Sequence, residues 1–303
     1  MLSSKILNRS VIVSLTIAFY AAGQAVNAHT GVRDQPTGGT TTYNGFTITH
    51  GCGTPPLPVI GQSAVFPYGD ASSSAGPTVW VDLSNNTVIP TGGTGIVSLP
   101  AAPALPIFNL SVGGIQQNDP FDIVVEQTDP LSGAVRALHW QGSDEIQRLK
   151  KLKSGRLKLL KKPFPGLRTD LVGIPEWRAS APRIIDNCVS KLLVRIAVAN
   201  WCEKGANEAN DPEDNRADYW FPIPVIAPGS AGAPGSGSTK FTDIGAVQAT
   251  FWTTMTVNNS NVNNDPATNC PGGALHDVAV QPAGTEIDTY LPLPPFTQGP
   301  GPY

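Results

Sequence analysis

Short runs of alternating apolar and polar residues recur along the chain, and turn-forming residues separate them. The alternation is clear in TTTYNGFTITHGC (40–52), which sets Phe46, Ile48 and His50 at alternate positions and predicts a strand. KLLVRIAVANWC (191–202) is apolar at consecutive central positions, as is typical of a strand buried on both faces. Six further runs predict strands for the same reasons: QSAVFPYGD (62–70), TVWVDL (78–83), FDIVVEQTD (121–129), AVRALHW (134–140), ADYWFPIPV (217–225) and AVQATFWTTMTV (246–257).

One segment has the spacing of a helix rather than of a strand. In SDEIQRLKKLKSGRLKLLKK (143–162), Ile146, Leu149 and Leu152 lie near one helical stripe. The segment belongs to a basic insertion at about 141–168, and it is the one helix that the sequence predicts.

These patterns predict an all-β protein. We expect an antiparallel, immunoglobulin-like β-sandwich over residues 29–290, interrupted by the basic insertion. Glycine and proline number 31 and 29 among 303 residues, which favours short strands joined by turns over long helices. The last residues, 291–303, are rich in proline, and we expect them to be extended or disordered.

The start of the chain has the features of a secretory signal peptide. A basic beginning and an apolar stretch too short to span a bilayer precede VNA (26–28), which resembles a cleavage site. A cut after Ala28 makes His29 the first residue of the mature protein, and a cut after Ala25 also fits the pattern. We therefore exclude residues 1–28 from the predicted fold and expect an exported protein, at the cell surface, secreted or periplasmic.

Four cysteines lie beyond the predicted signal peptide, namely Cys52, Cys188, Cys202 and Cys270. An even number of cysteines in an oxidising compartment predicts two disulfides, for which three pairings are open. No Cys-x-x-Cys spacing occurs, which argues against a zinc ribbon or a thioredoxin-type redox site.

Charge is distributed unevenly along the chain. Residues 148–168 hold nine Lys and Arg and no acidic residue, whereas the rest of the chain after residue 28 holds nine basic and 23 acidic residues. This distribution favours a solvated surface insertion that pairs with the acidic body. The alternative is contact with an outer membrane, a cell surface or another polyanion. Nucleic acid is not an expected partner of an exported protein.

An amino-terminal histidine would offer an unusual set of metal donors. The α-amine and Nδ1 of His29 can close one chelate ring on a metal ion, and the reference pKa of an α-amine, about 8, lets a metal displace its proton. Nitrogen donors of this kind favour Cu(II). The competing interpretation is that histidine occupies this position by chance.

Two other histidines are candidate ligands. His50, in THGCG, is either a ligand or a half-buried strand residue. His139 precedes Trp140 in ALHWQG; the imidazole can bind a metal and the indole can pack over it, but a strand pair with one side chain in the core is the simpler interpretation. The chain has no Gly-x-Ser-x-Gly elbow, phosphate-binding glycine loop, His-Glu-x-x-His helix or EF-hand loop, so these common catalytic and binding motifs do not identify its function.

Several of these stretches resemble two groups of exported copper-binding proteins. His29, ITHGC (48–52) and VRIAVANWCEKG (194–205) with ADYWFPIP (217–224) resemble the periplasmic copper-binding domains of the YcnI type. KKPFPGLRTDLVG, NCVSKLLVRIAVANWCEKG and ADYWFP are similar to stretches of the copper-repressible surface proteins of methanotrophs, the MopE and CorA type.

The resemblance implies a β-sandwich that binds copper outside the cytoplasm. The YcnI type implies that the amine and imidazole of His29 are ligands. The methanotroph type implies His50, His139 and Trp140, the last as an oxidised tryptophan (kynurenine), although its spacing does not match cleanly here. The correspondence of HGC with NWC implies the disulfides Cys52–Cys202 and Cys188–Cys270.

The predicted function is copper scavenging, storage or delivery by an exported protein that is not an enzyme. One alternative is a structural or adhesive surface protein without metal, which the Gly-, Pro-, Thr- and Asn-rich composition favours. Another is a copper monooxygenase-like enzyme, because lytic polysaccharide monooxygenases also expose an amino-terminal histidine on a β-sandwich.

Overall fold

The fold was obtained from a computed structural model, which describes residues 30–49, 51–52, 58–68, 78–99, 107–112, 121, 123–130, 133–142, 146–151, 157–162, 167, 171–202, 217–221 and 252–291. Strands account for most of the regular structure in these ranges, and helices are few and short. The strands are β1 (Gly31–Val32), β2 (Thr41–Thr47), β3 (Val59–Val65), β4 (Thr78–Asp82), β5 (Thr87–Val88), β6 (Asn109–Ser111), β7 (Ile123–Thr128), β8 (Val135–Gln141), β9 (Ile146–Lys151), β10 (Leu157–Lys162), β11 (Glu176–Ser180), β12 (Val189–Cys202), β13 (Ala217–Trp220), β14 (Thr253–Asn258) and β15 (His276–Pro282); the α-helices are α1 (Pro266–Asn269) and α2 (Gly284–Tyr290).

Two sheets form the body of the described structure. The smaller has the strand order β1-β2-β11-β6. The larger has the order β5-β4-β15-β12-β3-β8-β7, and β13 and β14 also pair with β12. The prediction of an all-β, sandwich-like protein is confirmed. The paired strands are antiparallel except for β12 and β15, which run parallel. Parallel neighbours need a long crossover connection, and here the chain passes through β13, β14 and α1 between the two strands.

The main core lies between the two sheets. The smaller sheet contributes Phe46 and Trp177, and the larger contributes Leu138 and Trp140, all with no exposed surface. The ring of Phe46 lies edge-on to Trp140, with centroids 5.8 Å apart, and 5.4 Å from the ring of Trp177. Aromatic packing across the sandwich therefore holds the two sheets together.

The central strand β12 is covered on both faces. Val198 belongs to the main core, whereas its neighbours Ala197 and Ala199 belong to a second apolar cluster on the opposite face of the larger sheet. In that cluster they pack with Ile287 and Leu291 from the end of the described chain. Successive side chains of a strand point to opposite faces, so a strand whose centre is buried on both sides is apolar at consecutive central positions, as the sequence predicted.

Helix α2 is attached to the sheet through Arg136 of β8. Arg136 Nη1 lies 3.2 Å from Asp129 Oδ1, and Arg136 Nη2 contacts Glu286 of α2. The guanidinium also lies over two aromatic rings, 4.2 Å from that of Tyr68 and 4.7 Å from that of Tyr290. Burial raises the pKa of Glu286, and the nearby charge of Arg136 opposes that rise. This contact links the second apolar cluster to the β7–β8 hairpin.

The basic insertion differs from the prediction. β9 and β10 pair as an antiparallel two-stranded sheet, so the helix predicted over 143–162 is wrong. The residues between the two strands include Ser154 and Gly155, a dipeptide that favours a turn and interrupts a helix. Leucine and lysine also alternate at the start of β10, which fits a strand better than a helix.

The end of the chain also differs in part. The sequence patterns predict no helix just before residue 291, yet α2 lies there, and Leu291 is fully buried rather than part of an extended tail. The rest of the predicted tail, 292–303, lies outside the described residues, as does the predicted signal peptide.

All four cysteines form disulfides, Cys52 with Cys202 and Cys188 with Cys270. This is the pairing that the family resemblance implied. Cys202 ends β12 and Cys188 directly precedes it, so the two bridges fasten opposite ends of the same strand. Two disulfides suit an oxidising, exported environment. No helix in the described ranges is long and apolar enough to cross a membrane.

Candidate functional site

A chain of buried polar residues begins at Thr30, the first described residue. Asn200 of β12 donates from Nδ2 to Thr30 Oγ1 over 3.2 Å. Thr253 Oγ1 donates to the Thr30 carbonyl, also over 3.2 Å, and Gly31 N donates to Thr47 Oγ1 over 3.1 Å. The start of the described chain is therefore held by hydrogen bonds to β2, β12 and β14.

The same asparagine contacts the segment that follows β2. The sulfur of Cys52 lies 3.4 Å from the Asn200 carbonyl oxygen, and Cys52 N donates to Cys202 Sγ over 3.0 Å. Cys52, Cys202 and Asn200 are all buried. Thr30 and Cys52, which are far apart in sequence, thus both lie against Asn200, and the disulfide to Cys202 fastens the segment at Cys52.

Gln62 of β3 completes this polar group. Its Nε2 donates to Asn200 Oδ1 over 2.8 Å, which fixes the orientation of the Asn200 amide. Gln62 Oε1 is buried and has no hydrogen-bond partner among the described residues. This oxygen is therefore a free acceptor, and an unpaired buried acceptor lowers the free energy of unfolding by about 1–3 kcal/mol.

Two of the predicted ligands adjoin this group in sequence. His29 is covalently bonded to Thr30, and His50 is two residues before Cys52. Both histidines lie outside the described residues. What the structure describes is the convergence of their neighbours Thr30 and Cys52 on Asn200.

His139 lies in a second polar group, on the other face of the larger sheet. Its Nδ1 is 2.8 Å from Ser63 Oγ, and Trp201 Nε1 donates to the same oxygen over 2.8 Å. His139 is 1% exposed, and its Nε2 has no partner in the described part of the chain. Burial lowers the pKa of His139 to about 3, so the imidazole is neutral at ordinary pH.

Trp140 does not share a site with His139. Trp140 belongs to the main core, whereas His139 contacts Ser63 and Trp201 on the opposite face. Trp140 Nε1 donates to the Glu176 carbonyl over 3.3 Å. An indole has one N–H and no acceptor nitrogen, so in this arrangement Trp140 has no donor atom left for a metal. Consecutive strand residues necessarily point apart, and the pair cannot converge on one ion.

The described residues contain no group of three or more His, Cys, Asp or Glu side chains that could hold a metal ion. The cysteines in particular are oxidised, and a disulfide sulfur is not the thiolate that binds metals.

Sequence reasoning missed the residues that organise both polar groups. Asn200 interrupts the apolar run RIAVANWC, and Gln62 and Ser63 interrupt VIGQSAVF. Polar residues inside a strand that is apolar on both faces must find buried partners, and that signal could have identified all three. Their partners are distant in sequence, so the signal would not have paired them.

The chain was also compared with known proteins. No family profile, curated protein or solved structure matches it.

Proposed function

We propose that this is an exported copper-binding protein in which His29, as the first residue of the mature chain, and His50 hold one copper ion. The observation that carries the proposal is that Thr30 and Cys52, the described neighbours of these histidines, contact the same residue, Asn200. Because Thr30 and Cys52 both lie against Asn200, the chain next to His29 is close to the chain next to His50, and the two histidines can bind one ion.

The donor set suits copper. An amino-terminal histidine provides its amine and Nδ1, and His50 would add a third nitrogen. Three nitrogen donors favour Cu(II) by the general order of affinities. The disulfide Cys52–Cys202 and the amide of Asn200 limit movement of the supporting segments, which lowers the entropy lost on binding. A role in scavenging, storage or delivery follows from tight binding at a single site without turnover.

The test is a titration of the processed protein with Cu(I) and Cu(II) against a competing chelator. A second protein carries one extra alanine before His29, which removes the amine–imidazole chelate and leaves every side chain in place. A third carries His50→Ala, and His139→Gln is the matched control because it removes a buried histidine on the opposite face of the sheet. We expect tight binding in the native protein and in the control, and weak binding in the other two.

Other results would point to other functions. Equal binding by the extended and native proteins would place the copper elsewhere. No binding by any protein would refute the copper function and favour a structural or adhesive surface protein. Reductant-dependent peroxide formation or sugar oxidation by the copper-loaded protein would favour a monooxygenase-like enzyme.

A substitution of Asn200 tests whether its side-chain hydrogen bonds support the proposed copper site. Asn200→Ala removes the bonds to Thr30 and Gln62, and Asn44→Ala is the matched control, since Asn44 is equally buried and bonds only around Asp34 and Gly45. We expect copper affinity to fall about tenfold or more for Asn200→Ala, as is usual for residues that orient ligands, and to stay unchanged for Asn44→Ala.

A further inference from the structure

The two strands of the basic insertion form a sheet of their own, here called the basic hairpin (146–151 and 157–162). In its register Leu149 is opposite Leu159 and Lys150 is opposite Lys158. Neither strand pairs with a strand of the sandwich in the described part of the chain. A two-stranded hairpin is marginally stable in water unless its face packs against something else.

The register divides the hairpin residues between two faces. Directly opposed residues of an antiparallel pair share a face, and successive residues alternate. One face holds four of the basic positions, and the other holds three leucines. The first comprises Ile146, Arg148, Lys150, Lys158, Leu160 and Lys162, and the second Gln147, Leu149, Lys151, Leu157, Leu159 and Lys161.

The charge of the hairpin is opposite to that of the rest of the protein. The two strands contain six basic and no acidic residues. The chain outside 148–168 and after residue 28 carries nine basic and 23 acidic residues. A negatively charged surface would therefore attract the hairpin and repel the body, which orients the molecule with the hairpin towards that surface.

We propose that the basic hairpin binds an anionic lipid surface. Lysines and arginines are attracted to anionic headgroups, and leucines gain by leaving water at the boundary with the acyl chains. The leucine positions distinguish lipid from a soluble polyanion, which would use the basic positions alone. Contact with a lipid surface would also give one face of the hairpin something to pack against, which stabilises a two-stranded sheet.

The experiment is co-sedimentation of the full processed protein with vesicles, without copper, so its outcome does not depend on the copper proposal. Vesicles of phosphatidylcholine are compared with vesicles of phosphatidylcholine and phosphatidylglycerol in equal parts. We expect binding to the mixed vesicles only, and release at high salt. Equal binding to both vesicle types, or to neither, would overturn the proposal.

Matched variants locate the contact. Lys150→Gln with Lys158→Gln removes two opposed charges of the hairpin, whereas Arg183→Gln with Lys191→Gln removes two exposed charges of the body. We expect vesicle affinity to fall about tenfold or more for the first pair and not for the second.

Two further results would also overturn the proposal. Leu149→Ser with Leu159→Ser should weaken vesicle binding; unchanged binding, together with equally tight binding to polyphosphate, would indicate a soluble polyanion instead. Salt-sensitive self-association without vesicle binding would indicate that the hairpin contacts the acidic body of a second copy. Thermal unfolding of each variant verifies that it is folded.

Discussion

Ser63 Oγ lies 2.8 Å from Nδ1 of His139, and the two residues are opposite each other in the β3–β8 ladder. Trp201 Nε1 donates to the same oxygen, so Ser63 joins an imidazole and an indole in one buried group. All three residues lie on the face of the sheet that α2 and the second apolar cluster cover. The protein therefore buries a neutral imidazole at this position.

Because His139 is buried as the neutral imidazole, we expect it to lower the stability of the folded protein in acid. Its pKa is about 3 in the folded protein against 6.5 for an unperturbed histidine, so the unfolded chain binds the proton first. The stability that the neutral imidazole contributes is complete above pH 6.5 and falls by about 1.4 kcal/mol per pH unit as the pH drops towards 3. Between about pH 7.5 and about pH 5, we expect the free energy of unfolding to fall by about 2 kcal/mol from this group.

Urea unfolding of the native protein and of His139→Gln at the two pH values measures the effect. The other histidines are common to both proteins, so the difference between their pH dependences isolates His139. We expect the variant to lose less stability in acid than the native protein. Identical pH dependence would show that His139 can take up a proton in the folded state.

We expect replacement of Arg136 to destabilise the protein strongly. Its side chain and those of Asp129 and Glu286 are 11–13% exposed. Arg136→Met keeps much of the aliphatic stem between the two tyrosine rings but leaves two buried carboxylates without their cation. We expect the free energy of unfolding to fall by about 3 kcal/mol or more.

Arg33 provides the matched control for Arg136. It also contacts two carboxylates, Asp34 and Glu176, each at 3.0 Å, but these side chains are 37–49% exposed. Arg33→Met should lower the free energy of unfolding by about 1 kcal/mol or less, because water screens exposed ion pairs. Equal losses in chemical denaturation for both variants would show that the Arg136 group is open to solvent.

All eight strands that the sequence predicted are present at least in part, because their signal is local, whereas β11 and β15 were not predicted. Alternation places Phe46 and Ile48 on one face, and both are fully buried in the main core. The helix of the basic insertion was predicted wrongly, since leucines spaced by lysines fit both the helical and the strand period, and β9 and β10 pair as strands. Helix α2 is only seven residues long and is held by Arg136, whose partners no local pattern reveals.

The candidate site was predicted only in outline. A family resemblance supplied the disulfide pairing, which the structure has, and local sequence offered three pairings without choosing among them. His139 and Trp140 are neighbours in sequence, but strand geometry sends them to opposite faces. The contacts of Asn200 with Thr30 and Cys52 span 170 and 148 residues, and only the folded chain reveals them.

The main core leaves no room for a side chain at Gly93. A Cβ at this position would lie 2.5 Å from Cζ2 of Trp80, whose ring is fully buried and cannot move aside freely. Gly93→Ala should therefore lower stability by about 1–3 kcal/mol, as overpacking commonly does. In Gly31→Ala the nearest atom is the Thr47 hydroxyl at 3.3 Å, and we expect a change within about 0.5 kcal/mol. Thermal or urea unfolding of the two variants would measure the contrast, and equal losses would show that Trp80 can shift.

Removal of each disulfide in turn tests whether copper binding depends on the Cys52–Cys202 bridge. Cys52→Ser with Cys202→Ser removes a bridge that closes 150 residues, and Cys188→Ser with Cys270→Ser one that closes 82. The cost in stability should be similar, about 4–5 kcal/mol in the chain-entropy account, so general destabilisation is matched between the two variants.

Their effects on the proposed site should differ. Cys52 is two residues after His50 and contacts Asn200, whereas Cys188 lies at the other end of β12. We expect copper affinity, measured by chelator competition under conditions where both variants are folded, to fall about tenfold or more only when Cys52 and Cys202 are replaced. Equal copper affinities of the two variants would show that His50 is not a ligand. Loss of the Cys52–Cys202 bridge frees the segment next to His50 and would disturb a ligand there.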